Sequence, residues 1–165
     1  MDDGHELDVN RLKLLNYIEE CDRHIVKIKH ALSKMENFMP LTLADYRSLS
    51  EDDKEHIDQL IFRYSKLQDV MGERLFTSIL KNLKENFDNK PFRDLIDRLE
   101  KLEIIESAND WDELRKSRNI LSHEYSSEEN ELVMNINTVY EKLVPKIFSI
   151  YDKIIFYIEN NIKLD

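Results

Sequence analysis

The sequence has a single cysteine, Cys21, which excludes a disulfide framework and disfavours a zinc site of the usual Cys/His type. Its two glycines, Gly4 and Gly72, stand far apart. They furnish neither the turns of a many-stranded sheet nor a phosphate-cradling loop, so P-loops and parallel nucleotide folds are poor candidates. Long apolar runs are missing too. The most apolar stretch, Ile147 to Ile158, contains Asp152 and Lys153 and is far shorter than the roughly 20 residues that span a bilayer. The start, MDDGHELDVN, lacks the basic and apolar segments of a signal peptide, and a reducing cytoplasm is the expected setting. Positive charge is also in deficit. With 24 basic against 34 acidic side chains the formal net charge is −10, which disfavours long-range attraction to nucleic acid or an anionic membrane. Any RNA contact must rest on a local basic patch.

What the sequence does contain is helical periodicity, almost end to end. Leu14, Ile18, Cys21, Ile25, Ile28, Leu32 and Met35 alternate spacings of four and three, which predicts a long amphipathic helix ending before Pro40. Ser50 followed by Glu51, Asp52 and Asp53 offers an N-cap and an acidic first turn. Ile57, Leu60, Tyr64, Leu67, Met71 and Leu75 then carry a second helix to about Asn86. Pro91 suits a first helical position, with Phe92, Leu95, Ile96, Leu99 and Leu102 behind it. Asp110 suits the cap of a fourth helix from Trp111 to about Tyr125. Leu132, Ile136, Val139, Leu143, Ile147, Ile150, Ile154 and Ile158 mark a fifth, with Pro145 as the expected point of a kink.

These observations predict an all-α protein, an antiparallel bundle of about five helices occupying residues 1–165 as a single domain. The terminal helix carries Phe148, Tyr151, Ile155, Phe156 and Tyr157 beside its main stripe, more apolar surface than one ~100° bundle face requires. Two explanations are open: a central helix surrounded by its neighbours, or a subunit interface.

In the fourth helix the stripe reads Trp111, Leu114, Arg118, Leu121, Tyr125. Arg118 thus takes a core position, where a guanidinium needs a carboxylate from another helix or a phosphate, because an unpaired buried charge is expensive. Arg118-Asn119-Ile120-Leu121-Ser122-His123-Glu124-Tyr125 reads Arg, four residues, His, any residue, Tyr. This octapeptide resembles the motif of HEPN-domain proteins of the HepT type. Phe62-Arg63-Tyr64-Ser65-Lys66-Leu67-Gln68-Asp69 is also similar to the HEPN subgroup encoded beside minimal nucleotidyltransferases. The resemblance covers residues from about 55 to 160.

The resemblance implies a HEPN-like fold and a toxin: a metal-independent endoribonuclease that acts as a homodimer and is silenced by a cognate nucleotidyltransferase antitoxin. It implies Arg118 and His123 as the catalytic pair, and Tyr125 as the residue that accepts AMP from the partner. The chemistry is compatible. RNA supplies its own nucleophile, the 2′-hydroxyl, so the protein need only move a proton and neutralise the phosphorane. An imidazole can do the first near neutral pH and a guanidinium fork the second. Residues five apart point about 140° apart on a regular helix, so Arg118 and His123 of one chain diverge, which favours a composite cleft between two protomers. Asn119, four residues before His123, is placed to orient the imidazole, and Arg115 and Lys116 add local positive charge for RNA. Arg63 and Asp69 are assigned supporting roles at most.

His24 and His30 are six apart on a helix, and His5 and His56 stand alone, so no metal site is expected; no cofactor is expected either. A second function remains open: a noncatalytic HEPN adaptor that binds a nucleotidyltransferase or a nucleotide through the same cleft.

Overall fold

The computed structural model describes residues 3–121 and 128–165, the side chains of 3 and 119–121 excepted, and the described residues form helices and connecting loops with no strand. The helices are α1 (Asp3–Met35), α2 (Leu43–Ser48), α3 (Glu51–Val70), α4 (Phe76–Asn82), α5 (Phe92–Lys101), α6 (Ala108–Leu121), α7 (Glu129–Thr138) and α8 (Val144–Asn161). Single π-helical turns, Met71–Leu75 and Val139–Leu143, join α3 to α4 and α7 to α8. The eight segments therefore make six rods.

Cross-helix contacts establish the topology. Along α1 and the α3–α4 rod, His30 meets His56, His24 meets Arg63, Glu20 meets Arg74, and the Asn10 carbonyl meets Asn82. The pairing runs antiparallel. In the same sense α8 lies on α1 through Tyr151, whose hydroxyl donates to Asp22 at 2.7 Å, while Lys29 faces the ring of Phe148. Lys146 of α8 bridges Asp110 and Glu113 of α6, and α6 returns to α3 through Arg118 and Asp69. The result is a four-rod up-and-down bundle, with α5 packed against one end of α4 and α6.

The core follows the expected stripes. Leu14, Cys21, Ile28 and Met35 are fully buried at intervals of seven, with Ile18, Ile25 and Leu32 partly buried between them, the seam of a coiled-coil-like pair. Of the additional apolar residues on the terminal helix, Tyr151 is buried and Phe148, Ile155 and Tyr157 pack partly against the core. Only Phe156 among them stands out in solvent, at 68% exposure. Most of that surface is thus consumed inside the bundle.

Four local details differ from the sequence expectations. Asp110 lies in the first turn of α6, which begins at Ala108, so it pairs with Lys146 in place of capping. Pro91 is the residue before α5. Pro145 follows a π turn in which the Val144 N–H bonds the Val139 carbonyl; the wider turn accommodates a residue that has no N–H to give. The second rod stops at Asn82, because Lys84 takes φ 60° and the Glu85 N–H returns to the Leu80 carbonyl, a Schellman closure. Glu103 closes α5 in the same way at φ 59°. Neither position is glycine.

Candidate functional site

The last turn of α6 carries Arg118, and the last turn of α3 carries Asp69. Their side chains meet fork on fork, Nη1 to Oδ1 at 2.8 Å and Nη2 donating to Oδ2 at 3.0 Å, the bidentate geometry that fixes a guanidinium in plane. Arg118 is not in the core, although its stripe position suggested it: its side chain is 44% exposed and that of Asp69 19%. At Arg118 the face that would have met apolar neighbours meets a carboxylate. Burial pushes the Asp69 carboxyl above its ordinary pKa, with the Arg118 charge acting in the opposite direction. Desolvation therefore outweighs the ion pair.

Beside the pair opens a cleft of about 730 Å³ between α3–α4, α5 and α6, and its lining brings together Asp69, Arg115, Lys116 and Arg118. Arg115 lies with its guanidinium carbon 4.5 Å from the centroid of the Phe92 ring, a cation–π contact. Asp112, also in the lining, is engaged by Arg93, and Asp88 by Lys81. Arg63 does not reach this cleft. It turns to α1, where its Nη1 lies 3.3 Å from His24 Nδ1. Since an arginine has only donors, the His24 ring must accept on that nitrogen. Burial, and next the Arg63 charge, hold His24 below its ordinary pKa. Asn119 sits in α6, but its side chain lies outside the described residues, as do His123 and Tyr125.

Three lining residues were not singled out as functional from the sequence. Gly72, on the π turn, leaves room for the indole of Trp111: a Cβ there would lie 3.1 Å from Cζ2. Trp111 also packs edge-on against Phe76, ring centroids 4.6 Å apart. Gln68 and Trp111 are both buried, and the Gln68 Oε1 and Trp111 Nε1 atoms have no hydrogen-bond partner among the described residues. A glycine inside a helical stripe, Gly72 between Met71 and Leu75, is the signal the sequence offers. π turns recur at functional sites, and this one delivers Gly72 and Glu73 to the cleft.

No family model matches the chain, and no protein of curated function and no solved structure matches it either. No described helix is long and apolar enough to cross a membrane.

Proposed function

We propose that the protein is an endoribonuclease toxin of the HEPN type, metal-independent, active as a homodimer in the cytoplasm and neutralised by a cognate nucleotidyltransferase. The observation that carries the reading is Arg118: a guanidinium clamped by Asp69 at the edge of a cleft, still half in solvent, five residues before His123 in an Arg-x4-His-x-Tyr motif. A clamped fork is ready to receive phosphate oxygens through its outward N–H groups without reorganising. Arg115 and Lys116 on the same cleft supply the local positive charge that a chain of net charge −10 needs to hold RNA. His123 takes the 2′-hydroxyl proton, Arg118 stabilises the phosphorane, and Asn119 orients the imidazole. The 2′-oxygen attacks the phosphorus, the P–O5′ bond breaks, the departing 5′-oxygen takes up a proton, and the products are a 2′,3′-cyclic phosphate and a 5′-hydroxyl end.

Incubating purified protein with total RNA in EDTA, and mapping the 3′ ends released, tests this reading. Cleavage that disappears in Arg118→Ala and in His123→Ala, with cyclic phosphate ends, is the expected result. Activity that vanishes with EDTA and returns with magnesium overturns it. A noncatalytic adaptor is the second reading, favoured by the four carboxylates, Asp69, Glu73, Asp88 and Asp112, in the cleft lining. Expression without the genomic neighbour separates the two: a toxin arrests growth and an adaptor does not.

A further inference from the structure

Phe62 is 50% exposed on α3 and two cations flank it, the Arg63 guanidinium carbon 5.3 Å and the Lys66 Nζ 5.6 Å from the ring centroid. Among the described residues neither cation forms an ion pair, but Arg63 is engaged by His24 Nδ1 at 3.3 Å and its Nε is buried. Spacings of four and three put Phe62, Lys66 and Asp69 on one face of the helix, with Phe62 about 10 Å along the axis from Asp69. Asp69 is the residue that holds Arg118. The exposed ring, Lys66 and the clamped guanidinium thus form one strip that runs from α3 to α6, with Arg63 turned to His24 on the α1 side. Asp58, exposed one turn before Phe62, ends it.

We propose that this strip is a base-stacking subsite for single-stranded RNA, in which an unpaired base next to the phosphate held by Arg118 stacks on Phe62 while Lys66 neutralises the adjoining backbone. The inference rests on the ribonuclease reading and adds to it where the strand runs and which form of RNA is accepted. An exposed aromatic ring beside cations is the element with which proteins hold unpaired strands, since every base presents a π face. A protein-docking patch has a different make-up, a contiguous apolar surface. Here the helix neighbours on the same face are Asp58, Gln59, Ser65 and Lys66, all polar. A base in a duplex has both faces stacked and cannot use the ring, so the site selects loops and tails.

Binding of labelled 2′-O-methyl oligoadenylate, which lacks the attacking hydroxyl and cannot be cleaved, tests the subsite directly. Phe62→Ala is expected to lose roughly tenfold in affinity for the single strand, with little change for the same sequence annealed to its complement. Phe62→Trp should restore binding, and its fluorescence should be quenched on adding the oligonucleotide. Removing the Lys66 charge should lower the slope of affinity against salt. Phe62→Ala that binds as wild type, or Phe62→Trp emission unmoved by saturating oligonucleotide, overturns the subsite even if Arg118-dependent cleavage persists. Loss of nucleotidyltransferase binding in Phe62→Ala, with RNA affinity unchanged, also overturns it and reassigns the strip to the protein partner. Wild type that neither binds nor cleaves RNA fells the subsite and the ribonuclease reading together.

Discussion

Gly72 and Trp111 are in contact through an absence: the glycine's missing methyl is the space that the indole edge fills, and a Cβ at Gly72 would stand 3.1 Å from Cζ2. Alanine at this position gains up to about 1 kcal/mol of helix propensity, but overpacking a filled interior costs typically 1–3 kcal/mol, and Trp111 is also packed edge-on against Phe76. Gly72→Ala is therefore expected to destabilise the protein by about 1 kcal/mol net. In a Trp111→Phe background the same change should become neutral or stabilising, because the clashing carbon is gone. Urea unfolding of the double-mutant cycle measures the coupling, and a coupling near zero would show that the indole is free to move aside.

Arg118 and Asp69 should separate in their effects on catalysis. Removing one preorganised donor to a transition-state charge costs on the order of 100-fold or more, so Arg118→Ala should abolish measurable RNA cleavage while the protein stays folded. Asp69→Ala keeps the guanidinium and loses its clamp, for which a loss on the order of tenfold is expected. Asp69→Asn retains one acceptor oxygen and should fall between wild type and alanine. Single-turnover cleavage rates check the order; an Asp69→Ala enzyme faster than wild type would mean that the carboxylate masks Arg118.

On the proposed reading, Tyr125 is the expected acceptor of AMP from a cognate nucleotidyltransferase. It stands seven positions after Arg118 in the motif, and an attached phosphate is expected to compete with RNA for the guanidinium. Wild type incubated with the partner and ATP should gain the mass of one or more AMP groups and stop cleaving. Tyr125→Phe should gain none. An equal adduct on both proteins places the acceptor elsewhere, and inhibition with no adduct makes it a matter of binding.

His24 gives a pH dependence whose sign is fixed. Its folded pKa lies below the ordinary 6.5, through burial first and the Arg63 charge second, so the folded state binds its proton less readily than the unfolded chain. Its contribution to stability is complete above that value and is lost as the pH falls through it toward the lowered folded pKa. His24→Gln keeps an acceptor for Arg63 and does not titrate. Between about pH 7 and pH 5.5 the wild type should lose more stability than this variant; parallel thermal curves for the two would refute the assignment.

Lys84 and Glu103 close their helices at φ 60° and 59°, where a side chain costs roughly 1 kcal/mol that glycine avoids. Lys84→Gly and Glu103→Gly are each expected to stabilise the protein by several tenths of a kcal/mol or more, offset in part by the unfolded chain's added freedom. Denaturant midpoints that fall in both variants would contradict this.

The rods were legible because burial repeats along them. Leu14, Cys21, Ile28 and Met35 declare their face by spacing alone, as do Ile57, Leu60, Tyr64 and Leu67. α2 escaped because six residues hold too little periodicity, and only its Thr42 and Asp45 capping box announced it. The ends escaped for another reason: Lys84 and Glu103 do what glycine usually does. Of the site, the positive residues Arg115, Lys116 and Arg118 could be nominated from one short segment of α6. Gln68, Gly72 and Trp111 form the same cleft from helices some 40 residues apart in sequence, and nothing local in either helix names its partner. Spacing placed Arg118 toward the interior, but only the partner helix reveals that a carboxylate, Asp69, waits there.

Cys21 lies at 0% exposure in the α1 seam, its thiol pushed up to about 12, chiefly by burial and further by the neighbouring Asp22 and Glu20. A thiol so placed is shielded twice, by scarcity of the thiolate and by the packing around it. The chain carries no other cysteine. It therefore comes with a built-in gauge of its own opening. An alkylating reagent can reach sulfur only when α1 parts from the bundle, so the labelling rate of the unaltered protein reports how often that happens, and an antitoxin that clamps the bundle would register as a slower clock.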